Sequence, residues 1–293
     1  MKHLLSIEHL AKEDIEHILK RAGTLKKERG NHSKLPLRDQ TWAMIFSKSS
    51  TRTRVSFEVG VHELGGKLLF LNANDIQLGR GEPIKDTARV LGRMVHGAII
   101  RTYAQSDYSQ IPTINALTDW EHPCQILTDI FTFQEKRGPI HGKKVAFFGD
   151  GACNVPISWI FASAKLDFEL AISAPPDFQP SIELIQRSKG NITVTENPDE
   201  AAANSDLLYT DVWVSMGKEK EAVERLEKLK GFQINSGTKA LAAPDALVMH
   251  CLPAYRDKEI AESFFEEHAD TIFDQAENRL HVQKAILEWI VCR

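Results

Sequence analysis

Hydroxyl and guanidinium side chains are concentrated at the point where a predicted strand gives way to a predicted helix. The β-rich run 41–46 comes first, and a helical pattern of apolar positions begins at Val55. The residues between them include Ser50, Thr51, Arg52 and Thr53. A helix N-terminus offers unpaired N–H groups and a positive dipole end, and arginine adds bidentate donors for phosphate or carboxylate. We interpret this turn as an anion-binding site rather than as an ordinary helix cap.

Length and composition restrict the class of protein. A chain of 293 residues is long enough for two domains, and 42% hydrophobic with 26% charged residues is typical of a soluble globular protein. The net charge of −4 disfavours a nucleic-acid partner, and no apolar run approaches the roughly 20 residues that span a membrane. The four cysteines form no C-x-x-C pair and the N-terminus does not resemble a signal peptide, so we expect a cytoplasmic protein.

Predicted strands and helices alternate along the chain, first before residues 137–142 and again after them. This segment, Arg-Gly-Pro-Ile-His-Gly, is typical of a boundary between domains. The alternation predicts an α/β fold of two doubly wound domains, each with a mainly parallel sheet covered by helices on both faces. Near the C-terminus, the pattern predicts a short strand over residues 271–273 before a final helix.

Most of the unusual polar residues come directly after predicted strands. Ligands of parallel sheets bind at the carboxyl ends of the strands, so these positions are candidates for a site. They are residues 50–53, Arg101, His122, Asn154, Asp211, Ser215, His250 and Cys251. Polarity scattered at random over the surface would not follow the strands in this way.

Three common kinds of site are disfavoured. A dinucleotide site after the strand 144–148 would need a third glycine three residues beyond Gly151, where Asn154 stands instead. A zinc site is disfavoured because His250 and Cys251 are adjacent and lack the usual ligand spacing. A serine hydrolase would need a Gly-x-Ser-x-Gly motif, which the chain does not contain. We therefore expect neither a nicotinamide cofactor nor a metal.

The polar residues of the second half fit an amino-acid ligand. Asn154 offers an amide, and Asp211 offers a carboxylate to an ammonium group. The turn 215–217, Ser-Met-Gly, offers backbone donors to a carboxylate. Tryptophan and methionine side chains are costly in an ordinary turn, and their presence beside these residues favours a binding site.

Five motifs, in this order, resemble those of the ornithine carbamoyltransferases. They are Ser-Thr-Arg-Thr at 50–53, His-Pro-Cys-Gln at 122–125, Asp-Val-Trp-Val-Ser-Met-Gly at 211–217, His-Cys-Leu-Pro at 250–253 and Glu-Asn-Arg at 277–279. The first two are shared with the aspartate carbamoyltransferases. The resemblance covers essentially the whole chain. It implies transfer of the carbamoyl group of carbamoyl phosphate to the δ-amine of L-ornithine, giving L-citrulline and phosphate in arginine biosynthesis.

The resemblance also implies how the chain divides and assembles. A carbamoyl-phosphate domain would cover residues 1–137 together with a C-terminal helix, 275–293, that packs back on it. An ornithine domain would cover residues 138–274. The family is built as homotrimers whose sites are shared between subunits, and Gln77 matches the residue lent by the neighbour. No metal or organic cofactor is required.

The expected site residues follow from the same resemblance. Those around carbamoyl phosphate are Ser50, Thr51, Arg52, Thr53, Gln77, Arg101, His122, Gln125, Leu252 and Arg279. Those around ornithine are Asn154, Asp211, Ser215, Met216 and Cys251. Thr53, Arg101 and His122 would stabilise the oxyanion of the tetrahedral intermediate. Cys251 would assist as a thiolate near ornithine.

The chain departs from the family pattern beside the ornithine motifs. Cys153 stands where many members carry asparagine, and Tyr255 and Asp257 replace a histidine and a glycine. These changes bear on how the ornithine loop closes. The sequence alone does not decide whether Arg52 or Arg54 points inward, although the resemblance favours Arg52.

Two other functions remain open at this point. A transcarbamylase for another amine, such as putrescine, would bind no carboxylate, so Asn154 and the turn 215–217 disfavour it. A non-catalytic anion-binding protein on the same scaffold would be marked by loss of Arg52, Arg101 or His122, and all three are present.

Overall fold

The computed structural model describes residues 1–72, 84–102, 111–215 and 217–292. The chain divides into two compact units. The first comprises Met1–Phe131 and Glu277–Arg293, and the second comprises Thr132–Ala276.

The first unit is built on a parallel sheet. Its elements are α1 (Lys12–Lys27), β1 (Thr41–Phe46), α2 (Thr51–Glu63), β2 (Lys67–Asn72), α3 (Ile84–Leu91), β3 (Gly97–Arg101), β4 (Thr113–Leu117) and the start of α4 (Pro123–Arg137). Within the described residues the strand order is β2-β1-β3-β4, and every pair is parallel. Strands β1, β3 and β4 are buried along nearly their whole length, as is typical of a parallel sheet.

The second unit repeats this architecture. Its elements are β5 (Lys144–Phe148), α5 (Asn154–Leu166), β6 (Glu169–Ser173), α6 (Ile182–Ser188), β7 (Asn191–Thr195), α7 (Pro198–Ala202), β8 (Leu207–Thr210), α8 (Ala222–Leu229), α9 (Ser236–Leu241), β9 (Leu247–His250), α10 (Glu262–Glu267) and the start of α11 (Ala269–Val291). The described strands pair in parallel in the order β7-β6-β5-β8-β9. Phe148, Leu208 and Val248 pack with Phe264 and Phe265 in its core.

The predicted α/β class, with two parallel sheets, is confirmed. The predicted strand at 271–273 is wrong, because these residues belong to α11. Ile272 and Gln275 are buried while Phe273 is 56% exposed, which is the spacing of one helix face. None of the described helices is both long and apolar enough to cross a bilayer.

Strand register places the candidate residues together at the carboxyl ends of the strands in each sheet. In the first unit Phe46 lies opposite Arg101, and the N–H of Ser47 donates to the carbonyl of Arg101 at 2.8 Å. In the second unit Thr210 pairs with both Phe148 and His250. The loops that follow β5, β8 and β9 therefore begin side by side.

Candidate active site

The anion-binding turn predicted from the sequence is the capped N-terminus of α2. Ser50 has extended backbone angles, and its hydroxyl accepts the N–H of Thr53 at 3.3 Å. This is the bond of an N-cap serine. The first turn of α2 carries no acidic side chain. No side chain of this turn therefore neutralises the positive dipole end, which suits it to binding an external anion.

The two arginines of this turn have different surroundings. The guanidinium of Arg54 lies 3.9 Å from the ring centroid of Phe70 and 3.7 Å from the carboxylate of Glu58, on the exposed side of α2. Arg52 is partly buried, and its carbonyl accepts the hydroxyl of Ser56 at 2.7 Å. Arg54 is therefore engaged on the outer surface, and Arg52 is the better candidate for the anion.

A buried arginine joins three helices next to this turn. Arg279 of α11 donates to Gln125 Oε1 of α4 at 2.6 Å and to Thr53 Oγ1 of α2 at 3.0 Å. The amide nitrogen of Gln125 donates to Asp129 at 2.8 Å, so its oxygen faces Arg279. All four side chains are buried. Burial strengthens these bonds and fixes Thr53 and Gln125 relative to Arg279.

Arg101 and His122 lie in the same unit, at the ends of adjacent segments. Arg101 is the last residue of β3, and His122 directly precedes α4; both are buried. Burial holds the pKa of His122 well below its ordinary value of 6.5, and the positive charges of Arg279 and Arg101 lower it further. The imidazole is therefore neutral at pH 7 and carries a single N–H donor.

An acidic site lies in the second unit. Asp211, which follows β8, accepts the thiol of Cys251 at 2.9 Å and the N–H of Val212 at 2.7 Å. Burial raises the pKa of Asp211, whereas the nearby His250 and the two hydrogen bonds lower it. A partly desolvated carboxylate of this kind is stabilised by an ammonium ligand. The contact with Asp211 favours a neutral Cys251 thiol over the thiolate.

A second buried arginine ties together two loops of this unit. Arg225 donates through Nε to the carbonyl of Trp213 at 2.7 Å and pairs with Asp150. Asp150 in turn accepts the N–H of Ala152 at 3.1 Å. Gly149 has a φ of +122°, and a Cβ there would lie 3.2 Å from the Trp213 ring. These contacts hold the loop after β8 against the turn that leads to α5.

The remaining predicted residues are distributed as follows. Asn154 is the first residue of α5 and follows Cys153, whose pKa is raised well above its usual range by burial. Ser215 is partly buried, and Leu252 has a φ of 58°. Gln77 and Met216 lie outside the described residues. The structure thus brings Thr53, Gln125 and Arg279 into direct contact, and likewise Asp211 and Cys251.

Sequence reasoning missed several charged partners. These are Lys48 with Asp119 at 2.5 Å, Arg225 with Asp150, and Glu259 with His250 at 3.2 Å. Lys48 lies two residues before the capped turn, and only that position could have indicated a role. Arg225 lies in a helix rich in charged residues, and a sequence pattern cannot distinguish a buried arginine in such a helix from one exposed to solvent.

These two units define a protein with two ligand-binding α/β domains, one with buried cations and one with a buried carboxylate. Residues 2–135 match the family model "Aspartate/ornithine carbamoyltransferase, carbamoyl-P binding domain", and residues 141–290 match the "Asp/Orn binding domain". The chain belongs to the aspartate/ornithine carbamoyltransferase family.

Similar proteins agree with this assignment. The chain is 53% identical to the ornithine carbamoyltransferase of Akkermansia muciniphila, over 98% of this chain and 97% of that one. It is also similar to the crystal structure of the anabolic ornithine carbamoyltransferase of Campylobacter jejuni, with a TM-score of 0.93 and 42% identity over 99% of each chain. The Pyrococcus furiosus enzyme gives a TM-score of 0.91 at 42% identity, covering 98% and 96%.

We predict that Arg52→Ala weakens binding of carbamoyl phosphate by ~10- to 100-fold, since a hydrogen bond to a charged group contributes about 1.5–3 kcal/mol. Arg54→Ala is the matched control, because it removes the same side chain from the outer side of α2 and should bind as wild type. Calorimetric titration measures both affinities. Equal affinities for the two variants would contradict the assignment of Arg52.

Proposed function

We propose that this protein is an ornithine carbamoyltransferase, which transfers the carbamoyl group of carbamoyl phosphate to the δ-amine of L-ornithine. The products are L-citrulline and phosphate. The observation that carries the proposal is the buried contact of Arg279 with both Thr53 and Gln125 beside the neutral His122. Relatives named ornithine carbamoyltransferase support it along nearly the whole chain.

Carbamoyl phosphate binds through the first unit. Ser50, Thr51, Arg52 and Thr53 hold its phosphate with hydroxyls, backbone N–H groups and one guanidinium. This assignment agrees with the N-cap geometry of Ser50 and with the engagement of Arg54 elsewhere. Arg101, His122, Gln125 and Arg279 surround the carbamoyl group.

Ornithine binds through the second unit. Its α-ammonium pairs with Asp211. Burial disfavours the charged form of this carboxylate, and a bound cation offsets that cost. Asn154, Ser215 and Met216 hold the α-carboxylate. The neutral thiol of Cys251 donates a hydrogen bond to Asp211 and so orients the Asp211 carboxylate.

The chemistry follows from where charge develops. The δ-amine must attack the carbamoyl carbon in its neutral form, although such amines have a pKa of about 10.4 in water, and nearby arginine charges favour loss of its proton. The C–N bond forms and the carbonyl becomes an oxyanion, which Arg101, His122 and Thr53 stabilise. Losing one such donor typically costs about 10²–10³ in rate. The C–O bond to phosphate then breaks, and the departing phosphate accepts the amine proton.

We place this reaction in arginine biosynthesis in the cytoplasm. The four cysteines are free, which suits a reducing compartment. Loss of arginine prototrophy on deletion of the gene, with activity in the soluble cell fraction, is the expected result.

The substrate assignment is tested by measuring product from carbamoyl phosphate with ornithine, putrescine, acetylornithine or aspartate as acceptor. We expect citrulline from ornithine and at least about 10²-fold lower kcat/KM for the others, because putrescine and acetylornithine cannot satisfy the buried Asp211 and its partners together. Product with a different amine only would overturn the specificity. Product with none would favour a non-catalytic anion-binding protein.

We also propose a homotrimer assembled through the first unit. Val55 of α2 and Leu69 of β2 are 54% and 46% exposed, and β2 lies at the edge of its sheet. Exposed apolar side chains on neighbouring elements are typical of a surface that a second chain covers. In this arrangement Gln77 serves the site of the neighbouring subunit, as the family resemblance implies.

Sedimentation equilibrium should give three times the 33.0 kDa mass of one chain. Val55→Asp combined with Leu69→Asp should lower this mass, because it places charges in the interface. Ile182→Asp is the matched control, since Ile182 is 69% exposed on the second unit and should leave the mass unchanged. A wild-type mass of one chain would contradict the trimer.

A further inference from the structure

A histidine and a glutamate form a completely buried pair at the end of β9. His250 Nε2 lies 3.2 Å from Glu259 Oε1, and neither side chain is exposed to solvent. The backbone N–H of His250 donates to Gln275 Oε1 at 3.0 Å, which anchors the histidine to α11. Buried ionisable groups of this kind cost stability unless their geometry is well satisfied. Their presence in the second unit therefore calls for a role beyond packing.

This pair accepts backbone N–H groups from both ends of one loop. The N–H of Leu252 donates to His250 Nδ1 at 2.8 Å, and the N–H of Tyr255 donates to Glu259 Oε1 at 2.6 Å. Because Nδ1 is an acceptor, the ring proton is on Nε2 and points to Glu259. A continuous chain of hydrogen bonds thus runs from Leu252 through the pair to Tyr255.

The loop held in this way has a conformation that it would not adopt unaided. Leu252 has a φ of 58°, in the left-handed region that branched side chains rarely occupy. Its N–H is held by the ring that precedes it by two residues. The loop also carries Cys251, whose thiol donates to Asp211. The pair therefore determines where Cys251 and Leu252 stand.

The pair also affects the pKa of Asp211 in the acidic site. His250 lowers the pKa of Asp211, whereas Glu259 raises it. The two influences on the pKa of Asp211 therefore oppose each other. Removal of one partner would leave the other uncompensated.

We propose that His250 and Glu259 are positioning residues that fix the loop 251–255 for binding and reaction of ornithine, given the function proposed above. They act through Cys251 and Leu252 and do not touch the substrate themselves. His250 sets the first end of the loop, and Glu259 sets the second end while holding the imidazole in the required tautomer.

The first test compares three variants by steady-state kinetics. Glu259→Ala should lower kcat/KM for ornithine by ~10²-fold, because small displacements of substrate-binding groups cost about that much. Its affinity for carbamoyl phosphate, measured by calorimetry without ornithine, should fall by less than about tenfold, since Leu252 is the one residue of this loop expected beside carbamoyl phosphate and the phosphate-binding residues belong to the first unit. Glu259→Gln keeps an oxygen that accepts both N–H groups and should recover most of the activity. His250→Asn keeps an acceptor for Leu252 but cannot reach Glu259, and should fall between the two.

A double variant tests whether the pair acts as one unit. His250→Asn combined with Glu259→Ala should be no worse than Glu259→Ala alone, because both changes break the same chain of bonds. Asp206→Asn is the matched control. Asp206 also accepts a backbone N–H, that of Lys144 at 2.9 Å, but at the amino-terminal end of the same sheet. It should keep the wild-type kcat/KM for ornithine even if it lowers the melting temperature equally.

Several results would overturn the inference. They are an unchanged kcat/KM in Glu259→Ala, an equal loss of carbamoyl-phosphate affinity, or an equal loss of activity in Asp206→Asn. If Glu259→Ala does not fold, His250→Asn with wild-type kinetics would overturn it instead. A wild-type protein that forms no citrulline overturns the proposed function, and with it this role. If the wild-type protein forms citrulline and the variants have the same kcat/KM for ornithine, the positioning role alone is overturned.

Discussion

The first unit depends on the hydrogen bonds made by the buried guanidinium of Arg279. A cation removed from water must be met by hydrogen-bond acceptors or by a ligand of opposite charge. Thr53 and Gln125 supply neutral acceptors, and the amide nitrogen of Gln125 donates in turn to Asp129. A buried positive charge at this place favours binding of an anion. Burial keeps His122 neutral, and the charge of Arg279 lowers its pKa further.

The second unit also removes a charged group from water, and here the charge is negative. Asp211 is a carboxylate withdrawn from water, and its hydrogen bonds to a thiol and one backbone N–H satisfy it only in part. In the function proposed above, an ammonium ligand completes it. The surrounding loops are irregular, and buried hydrogen-bonded pairs fix them: Arg225 with Asp150, and His250 with Glu259. Such pairs add little to stability, and their value lies in specifying one arrangement.

Local sequence predicted the elements and the strand ends well, because apolar runs and helix caps are local features. The start of a helix near residues 50–53 could be recognised from the neighbouring residues alone. The engagement of Arg54 on the outer side of α2 could not be predicted from local residues, since it depends on Phe70 of β2. The partner of Arg225 lies 75 residues away, which no spacing rule reaches. The strand expected at 271–273 failed because three β-favouring residues are too few to outweigh a longer helical pattern.

The most direct measurement is the affinity of Arg279→Lys for carbamoyl phosphate, by calorimetric titration. Lysine keeps the charge but cannot hold Thr53 and Gln125 together, so we expect binding ~10- to 100-fold weaker than wild type. Arg21→Lys is the comparison, because Arg21 also reaches across to another helix of the first unit, where it pairs with Glu288 at 2.7 Å. It should bind carbamoyl phosphate as wild type does. Wild-type affinity in Arg279→Lys, or an equal loss in both variants, would contradict the view that Arg279 organises the anion site.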